Sequence, residues 1–309
     1  MTMKKISLLV LCLFSLMACK NDKKTSETEQ AMITSKKPVV YVSNYPLYYF
    51  AERIGGNDVD LRFPMQDSKS IANWQPQSDT VVNMQAADVV FINGASYEKW
   101  LTSISLPESI LVNTTKNVEE DLLDSGHVFT HSHGEGGAHE HKEMASTTWL
   151  DLALANKQAE AMATYLLSKF PEKKAVFKAN FDKLSEDLLE LDSKFKAVAN
   201  KKPNLSVVFS HPVYQYFEDA YEINGRSLHW EPDYQLNHKN AHEIKHLVAD
   251  KKFNYLIWEG EPLEETRAKL EKMNIESIVV NPIYSVPENS NYFKEMENNL
   301  KQLQLIYEE

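Results

Sequence analysis

The chain has 309 residues and a formal net charge of −11, from 33 basic and 44 acidic side chains. That balance offers no basic footprint and argues against nucleic acid as a partner. The length accommodates two α/β lobes, each expected to have its own core.

The first residues read as a targeting segment. Lys4 and Lys5 form a basic start, and Ile6 to Met17 is an apolar stretch too short to span a bilayer. Leu16-Met17-Ala18-Cys19 resembles the lipobox of bacterial lipoproteins, which implies a signal peptide at 1–18, cut before a lipid-bearing Cys19. The alternative is an ordinary secretory signal with an incidental cysteine. Cys12 leaves with the signal, so the mature chain is expected to hold no disulfide. Residues 19–37 are polar and rich in Lys and Glu, and read as a flexible tether. An exported protein is expected, lipid-anchored to the cell envelope and facing the periplasm or the cell surface.

In 38–170, strands are expected at Pro38 to Ser43, Val59 to Phe63, Val89 to Ile92 and Ile110 to Asn113. Helices are expected at Tyr45 to Ile54, stopped by Gly55-Gly56, at Thr80 to Ala87 and at Ser96 to Leu101. Such alternation argues for a parallel α/β lobe. After Asp151, the positions Ala155, Ala159, Met162 and Leu166 share one helical face. Pro171 opens a second helix over 171–200, where Phe177, Phe181, Leu184, Leu188, Leu191, Phe195 and Val198 recur in steps of four and three. A coiled coil fits that stripe, but α/β segments flank it on both sides. One long helix across two lobes is the reading adopted.

In 201–309 the alternation resumes. Val207 to Phe209 is an expected strand with His211 at its end. Pro212 then suits the first turn of a helix carrying Val213, Tyr216, Phe217 and Ala220, closed by an Asn224-Gly225 turn. A second extended segment ends in His229, Trp230, Glu231 and Pro232. Further helices are expected at Ala241 to Ala249, Leu263 to Met273 and Tyr292 to Tyr307, with strands at Tyr255 to Trp258 and Ser277 to Val280. The fold class is α/β: two parallel-sheet lobes joined by one long spanning helix.

Two groups of residues suggest chemistry. Residues 127–141, HVFTHSHGEGGAHEH, hold five of the ten histidines. Gly134, Gly136 and Gly137 make this a loop, and neutral imidazoles favour Zn2+, Ni2+ or Cu2+ over Mg2+ or Ca2+. A solvated low-complexity loop is the plainer reading. The second group, His211, His229, Glu231, Glu259 and Glu261, falls at strand ends, where open α/β sheets collect ligands. Alone, His211 reads as a satisfied core histidine. Glu259 follows a buried-looking strand and needs a partner, whether a metal, an Arg or a Lys. Trp74, Trp149, Trp230 and Trp258 flank these segments and either line a dry cavity or belong to the core. A formal motif also appears: His242-Glu243-Ile244-Lys245-His246 puts two imidazoles on one helical face beside a Glu. It suggests a zinc-dependent hydrolase with Glu243 as base on a metal-bound water, or merely a solvated helix face.

An ordered set of pieces carries a resemblance over nearly all of the mature chain. They are Tyr45-Pro46-Leu47-Tyr48 with Ile54-Gly55-Gly56, Ala87-Asp88-Val89 running to Asn93-Gly94, Trp149-Leu150-Asp151, Ser210-His211 with Tyr216, Phe217 and Tyr221, and Glu231-Pro232. The chain resembles the metal-specific solute-binding proteins of bacterial ABC importers, the zinc and manganese uptake family. The resemblance implies two lobes joined by a long helix with the metal between them, and a His-rich loop typical of zinc members. It also implies departures. The family's first metal histidine corresponds to about Ala72, its second to Thr147, and its late Asp falls near Asn281; only the histidine at His211 is kept.

A rebuilt site is therefore expected. Zn2+ needs about four N, S or O ligands, and the candidates are His131, His133, His211, His229, Glu231 and Glu259. His131 or His133 would serve the tight site, with His139 and His141 as weaker collectors. The expected protein is a monomeric, lipid-anchored receptor that captures Zn2+ as its transported ligand and hands it to an ABC permease, performing no reaction. The alternatives are the hydrolase and a permease-independent zinc chaperone or buffer.

Overall fold

The computed structural model describes residues 37–66, 74–132, 138–237, 240–242, 244–245 and 254–308. The expected signal peptide, Cys19 and the tether up to residue 36 lie outside the described residues, as do Ala72, His133, Glu243 and His246. Among the described residues no helix is long and apolar enough to cross a membrane.

Two four-stranded sheets form the frame, and every pairing in them is parallel. The first holds β1 (Val39–Val42), β2 (Asp60–Arg62), β3 (Val89–Ile92) and β4 (Leu111–Asn113), in the order β2-β1-β3-β4. A separate antiparallel hairpin follows, β5 (Asp124–Ser132) with β6 (Ala138–Met144). The second sheet holds β7 (Ser206–Phe209), β8 (Asn224–Ser227), β9 (Tyr255–Trp258) and β10 (Glu276–Val279), in the order β10-β9-β7-β8. Read from its other edge, this is the order of the first sheet again. In each lobe the chain adds its second strand on one side of the first and its third on the other. That creates one topological switch point between β1 and β3 and another between β7 and β9. The runs VVFI of β3 and YLIW of β9 are apolar throughout because helices or loops cover both faces of a parallel sheet.

The helices follow from their caps. Asn44 accepts from Leu47 N at 2.8 Å to start Tyr45–Gly55, and Gly56 at φ 51° ends it. Asp151 accepts from the N–H groups of Ala153 and Leu154 to start Leu152–Lys169. Pro171 opens a 3-10 turn, and the long helix itself runs Lys174–Ala199. Its early part meets the first lobe: Asn180 donates to Ile54 O at 3.0 Å, and Asp187 pairs with Arg53 at 2.6 Å. Its late part meets the second: Phe195 stacks on Tyr221 at 4.8 Å. The helix thus joins the lobes as expected.

Separate cores were expected; among the described residues the two lobes share one large core instead. Val40, Val42 and Val89 of the first sheet belong to one packed set with Val207, Phe209, Ile257 and Ile278 on the inner face of the second. A smaller cluster, with Val208, Leu256, Trp230 and Trp258, covers the second sheet's outer face. The lobes are also tied by polar contacts. Trp149 Nε1 donates to Pro282 O at 2.8 Å, and the Tyr292 hydroxyl of the last helix, Tyr292–Glu308, donates to Trp149 O at 2.6 Å. Trp149, Trp230 and Trp258 are core residues, and Trp74 packs edge-on against Trp100.

Local readings differ in four places. Pro212 lies in a bend ahead of the helix Gln215–Ala220, so it does not open that helix. Asn224-Gly225 begins β8, and the turn falls at Tyr221-Glu222, with Glu222 at φ 52°. Gly225 is needed there because a Cβ would collide with the Phe209 ring and the Glu218 carboxylate. The expected helix at Ser96 to Leu101 is a 3-10 turn at Lys99–Ser103. The His-rich stretch is largely strand on either side of its glycines, because β5 and β6 pair across them.

Candidate metal centre

The second sheet's three adjacent strands β9, β7 and β8 bring Glu259, His211 and Glu231 to one edge. The ladder continues past the strand ends and fixes those positions. Ser210 N donates to Ile257 O at 2.8 Å, Leu228 N to Phe209 O at 2.8 Å, and Trp230 N to Ser210 O at 2.7 Å. One ligand atom from each of the three side chains lies within 4.8 Å of the others, and His211 Nε2 stands 3.7 Å from Glu231 Oε1. The His229 ring lies perpendicular to that of His211, 5.9 Å between centroids. The group sits at the β7/β9 switch point, where an α/β sheet presents its ligand site.

Its electrostatics favour a cation. Burial pushes the Glu259 carboxyl up to about 7, and the neighbouring Glu231 carboxylate, hydrogen-bonded to it, pushes in the same direction. A divalent ion would replace that proton and remove the repulsion. Ligand atoms around a tetrahedral Zn2+ with bonds of about 2.0–2.2 Å lie roughly 3.3–3.6 Å apart, so separations of up to 4.8 Å need to close by no more than about 1.2–1.5 Å. Glu261 takes no part: it is exposed and paired with Arg267 at 2.5 Å.

The positions at which the family pattern was expected to supply ligands have other duties here. Thr147 is buried, and its hydroxyl donates to Val213 O at 2.7 Å, just beyond His211. Asn281 receives a hydrogen bond on its carbonyl from Asn299 and on its side chain from Ile283 N, and it donates to Glu295. The hairpin register sets His131 opposite His139, and Phe129 opposite His141. Proximal and distal histidines are thus brought level rather than separated. The hairpin's base is anchored beside the site-bearing segment, since the Tyr216 hydroxyl donates to Ala145 O and accepts from Leu123 N.

Sequence reasoning missed Tyr284, a neighbour of the carboxylates at this edge. Tyr284 lies within electrostatic reach of Glu259, Glu231 and Tyr97, and burial raises it above the ordinary tyrosine value. Tyr97 and Tyr284 both pack edge-on against Trp149.

Two parallel sheets of one topology, bridged by a long helix and presenting acidic and imidazole groups at a switch point, define a two-lobed α/β binding fold. The chain belongs to the zinc-uptake complex component A (periplasmic) family, whose model matches residues 40–305. It is 25% identical to zinc-binding protein AdcA of Streptococcus pyogenes, over 98% of this chain and 62% of that protein. The chain therefore spans under two thirds of that relative's length. It is also 25% identical to the high-affinity zinc uptake system protein ZnuA of Bacillus subtilis, over 69% of this chain and 66% of that one. The manganese ABC transporter substrate-binding lipoprotein scaA of Streptococcus gordonii is 26% identical, over 74% and 73% respectively. In fold it is similar to the Zn(II)-bound ZnuA-like domain of Streptococcus pneumoniae AdcA, with a TM-score of 0.74, 22% identity, and coverage of 89% of this chain and 100% of that domain.

Proposed function

We propose that the chain is an exported receptor, lipid-anchored through Cys19, that captures Zn2+ and delivers it to an ABC-type importer. The observation that carries this reading is the convergence of His211, Glu231 and Glu259 at one switch point. Family membership and the zinc-named relatives support the choice of cargo. Zn2+ is bound and released, and no reaction is performed on it. His211, Glu231 and Glu259 are the proposed protein ligands, and the fourth comes from His229 or from the hairpin pair His131 and His133. His139 and His141 act as collectors that raise the local metal concentration. The chain works as a monomer.

The hydrolase alternative rests on His242, Glu243 and His246, and His242 is not among the three residues that converge. A permease-independent chaperone or buffer would use the same site and differ only in its partner. Calorimetry of Zn2+ binding to the mature chain tests the proposal. His211→Ala should weaken binding by more than the 10–100-fold typical of an outer-shell group. Stabilisation by excess Zn2+ should fall by about 1.4 kcal/mol per tenfold. Unchanged affinity would make His211 a structural residue and sink the reading.

A further inference from the structure

Residues 145–149 run between the lobes and are gripped alternately from either side. The second lobe holds the odd positions. The Tyr216 hydroxyl donates to Ala145 O at 3.0 Å, Thr147 Oγ1 donates to Val213 O at 2.7 Å, and Trp149 Nε1 donates to Pro282 O at 2.8 Å. The first lobe holds the even ones. Asn93, which follows β3 at the β1/β3 switch point, donates from Nδ2 to Ser146 O at 3.0 Å, and the Thr148 hydroxyl lies 3.0 Å from Asn93 Oδ1. Asn93 is itself fixed, since it is fully buried and its Oδ1 also accepts from Asn44 Nδ2 and Gln158 Nε2, each at 3.1 Å. A buried polar network satisfied to this degree specifies one geometry. It sets this strap against the first sheet.

Thr147 passes that position on to the metal group. The residue is buried, and its bond crosses to the segment that carries His211. Val213 N donates to His211 O at 3.0 Å, closing a three-residue turn, and the Gln215 amide donates to Pro212 O at 2.9 Å. On the strand side, Ser210 N donates to Ile257 O at 2.8 Å. The His211 backbone is therefore clamped by β9 before it and, through the turn, by the first lobe after it. A ligand has to be held within about 0.5 Å of its productive position, and this clamp is what the local sequence provides for that purpose.

We infer that Thr147 is a positioning residue for the metal centre: its hydroxyl, bonded to Val213 O, sets the His211 backbone against the first lobe and so aims the imidazole at Glu231 and Glu259. Thr147 stands at the position where a metal histidine was expected. Here that position supports a ligand in place of being one. The role rests on the metal-capture reading and refines it.

Thr147→Val keeps a branched side chain and removes the hydroxyl. On the mature chain it should lower Zn2+ affinity by about tenfold, the low end of the 10–100-fold that loss of a ligand's outer partner costs. The electronic spectrum of the Co2+-loaded protein should shift. Thr147→Ser, which keeps the hydroxyl, should restore both. Thr148→Val is the control, because it strips a buried hydroxyl from the same strap on the first-lobe side. It should lower the melting temperature and leave the affinity and the Co2+ spectrum unchanged. The inference is overturned if Thr147→Val keeps full affinity or does not fold, if the Ser variant fails to restore binding, or if Thr148→Val weakens Zn2+ binding as much. His211→Ala, run in parallel, separates the two readings. If it keeps full affinity, metal capture at this site fails; if it loses affinity while Thr147→Val does not, only the role of Thr147 fails.

Discussion

Replacing Glu259 with Gln should make the metal-free protein more stable and the metal-binding protein worse. The carboxyl is pushed up from 4.5 to about 7 by burial and by Glu231. At about 1.36 kcal/mol per pKa unit, ionising it in the folded chain would cost about 3 kcal/mol without screening. The group is little more than half buried, and solvent screening reduces that to about 1–2 kcal/mol. The sign follows from linkage. The folded chain binds this proton more tightly than the unfolded one, so the contribution is fully present below about pH 4.5 and lost as pH rises through about 7. Gln is neutral throughout and still donates to Glu231. Denaturant unfolding of metal-free protein should therefore find the variant about 1–2 kcal/mol more stable than wild type at about pH 8, and equal to it at about pH 4. Excess Zn2+ should reverse the order at the higher pH. A difference independent of pH, or a metal-free variant less stable at high pH, would refute the carboxylate pair as described.

Metal preference is a second expectation. Imidazole ligation should favour Zn2+ over Mn2+ in the Irving–Williams order, and a competition titration in which equimolar Mn2+ displaces Zn2+ contradicts the proposed ligand set. The hairpin supplies a third. Deleting Gly134 to Glu143 should lower Zn2+ stoichiometry while one tight site survives, and a lost tight site would place an essential ligand in the deleted tract. Changing His131 and His133 together to Ala should abolish tight binding if either is the fourth ligand; full retention assigns that place to His229. Lastly, Asn281→Asp would set a second carboxylate against Glu295, now its hydrogen-bond partner at 3.2 Å. Thermal unfolding should show a loss of about 1–3 kcal/mol with no gain in Zn2+ affinity, and a gain would restore that position to the site.

The long helices and most strands of both sheets were legible because their apolar positions follow a regular pattern. The stripe from Phe177 to Val198 and the run YLIW are read the same way in isolation as in the fold. His211 and Glu259 were legible as a pair because each follows an apolar strand, and parallel topology brings such ends together. The hairpin was not, since DSGHVFTHS and AHEHKEM show no regular alternation of apolar and polar residues from which a strand period could be read. Asn224-Gly225 misled for a different reason. That glycine answers to the side chains of Phe209 and Glu218, which no local pattern contains. The packing of Tyr97 and Tyr284 was not legible on the same ground: both rings meet Trp149, from an element far from either in the chain. One reading was too simple: a shared core replaced two separate ones because the inner face of the second sheet packs into the set that also covers the first.

The most direct measurement is anomalous diffraction at the zinc edge from crystals of the Zn2+-loaded mature chain. A single strong peak within bonding distance of His211 Nε2 and of carboxylate oxygens from Glu231 and Glu259 is expected, about 2.0–2.2 Å from each. A strong peak held only by hairpin histidines, with no density at the β7/β9 switch point, would contradict the account.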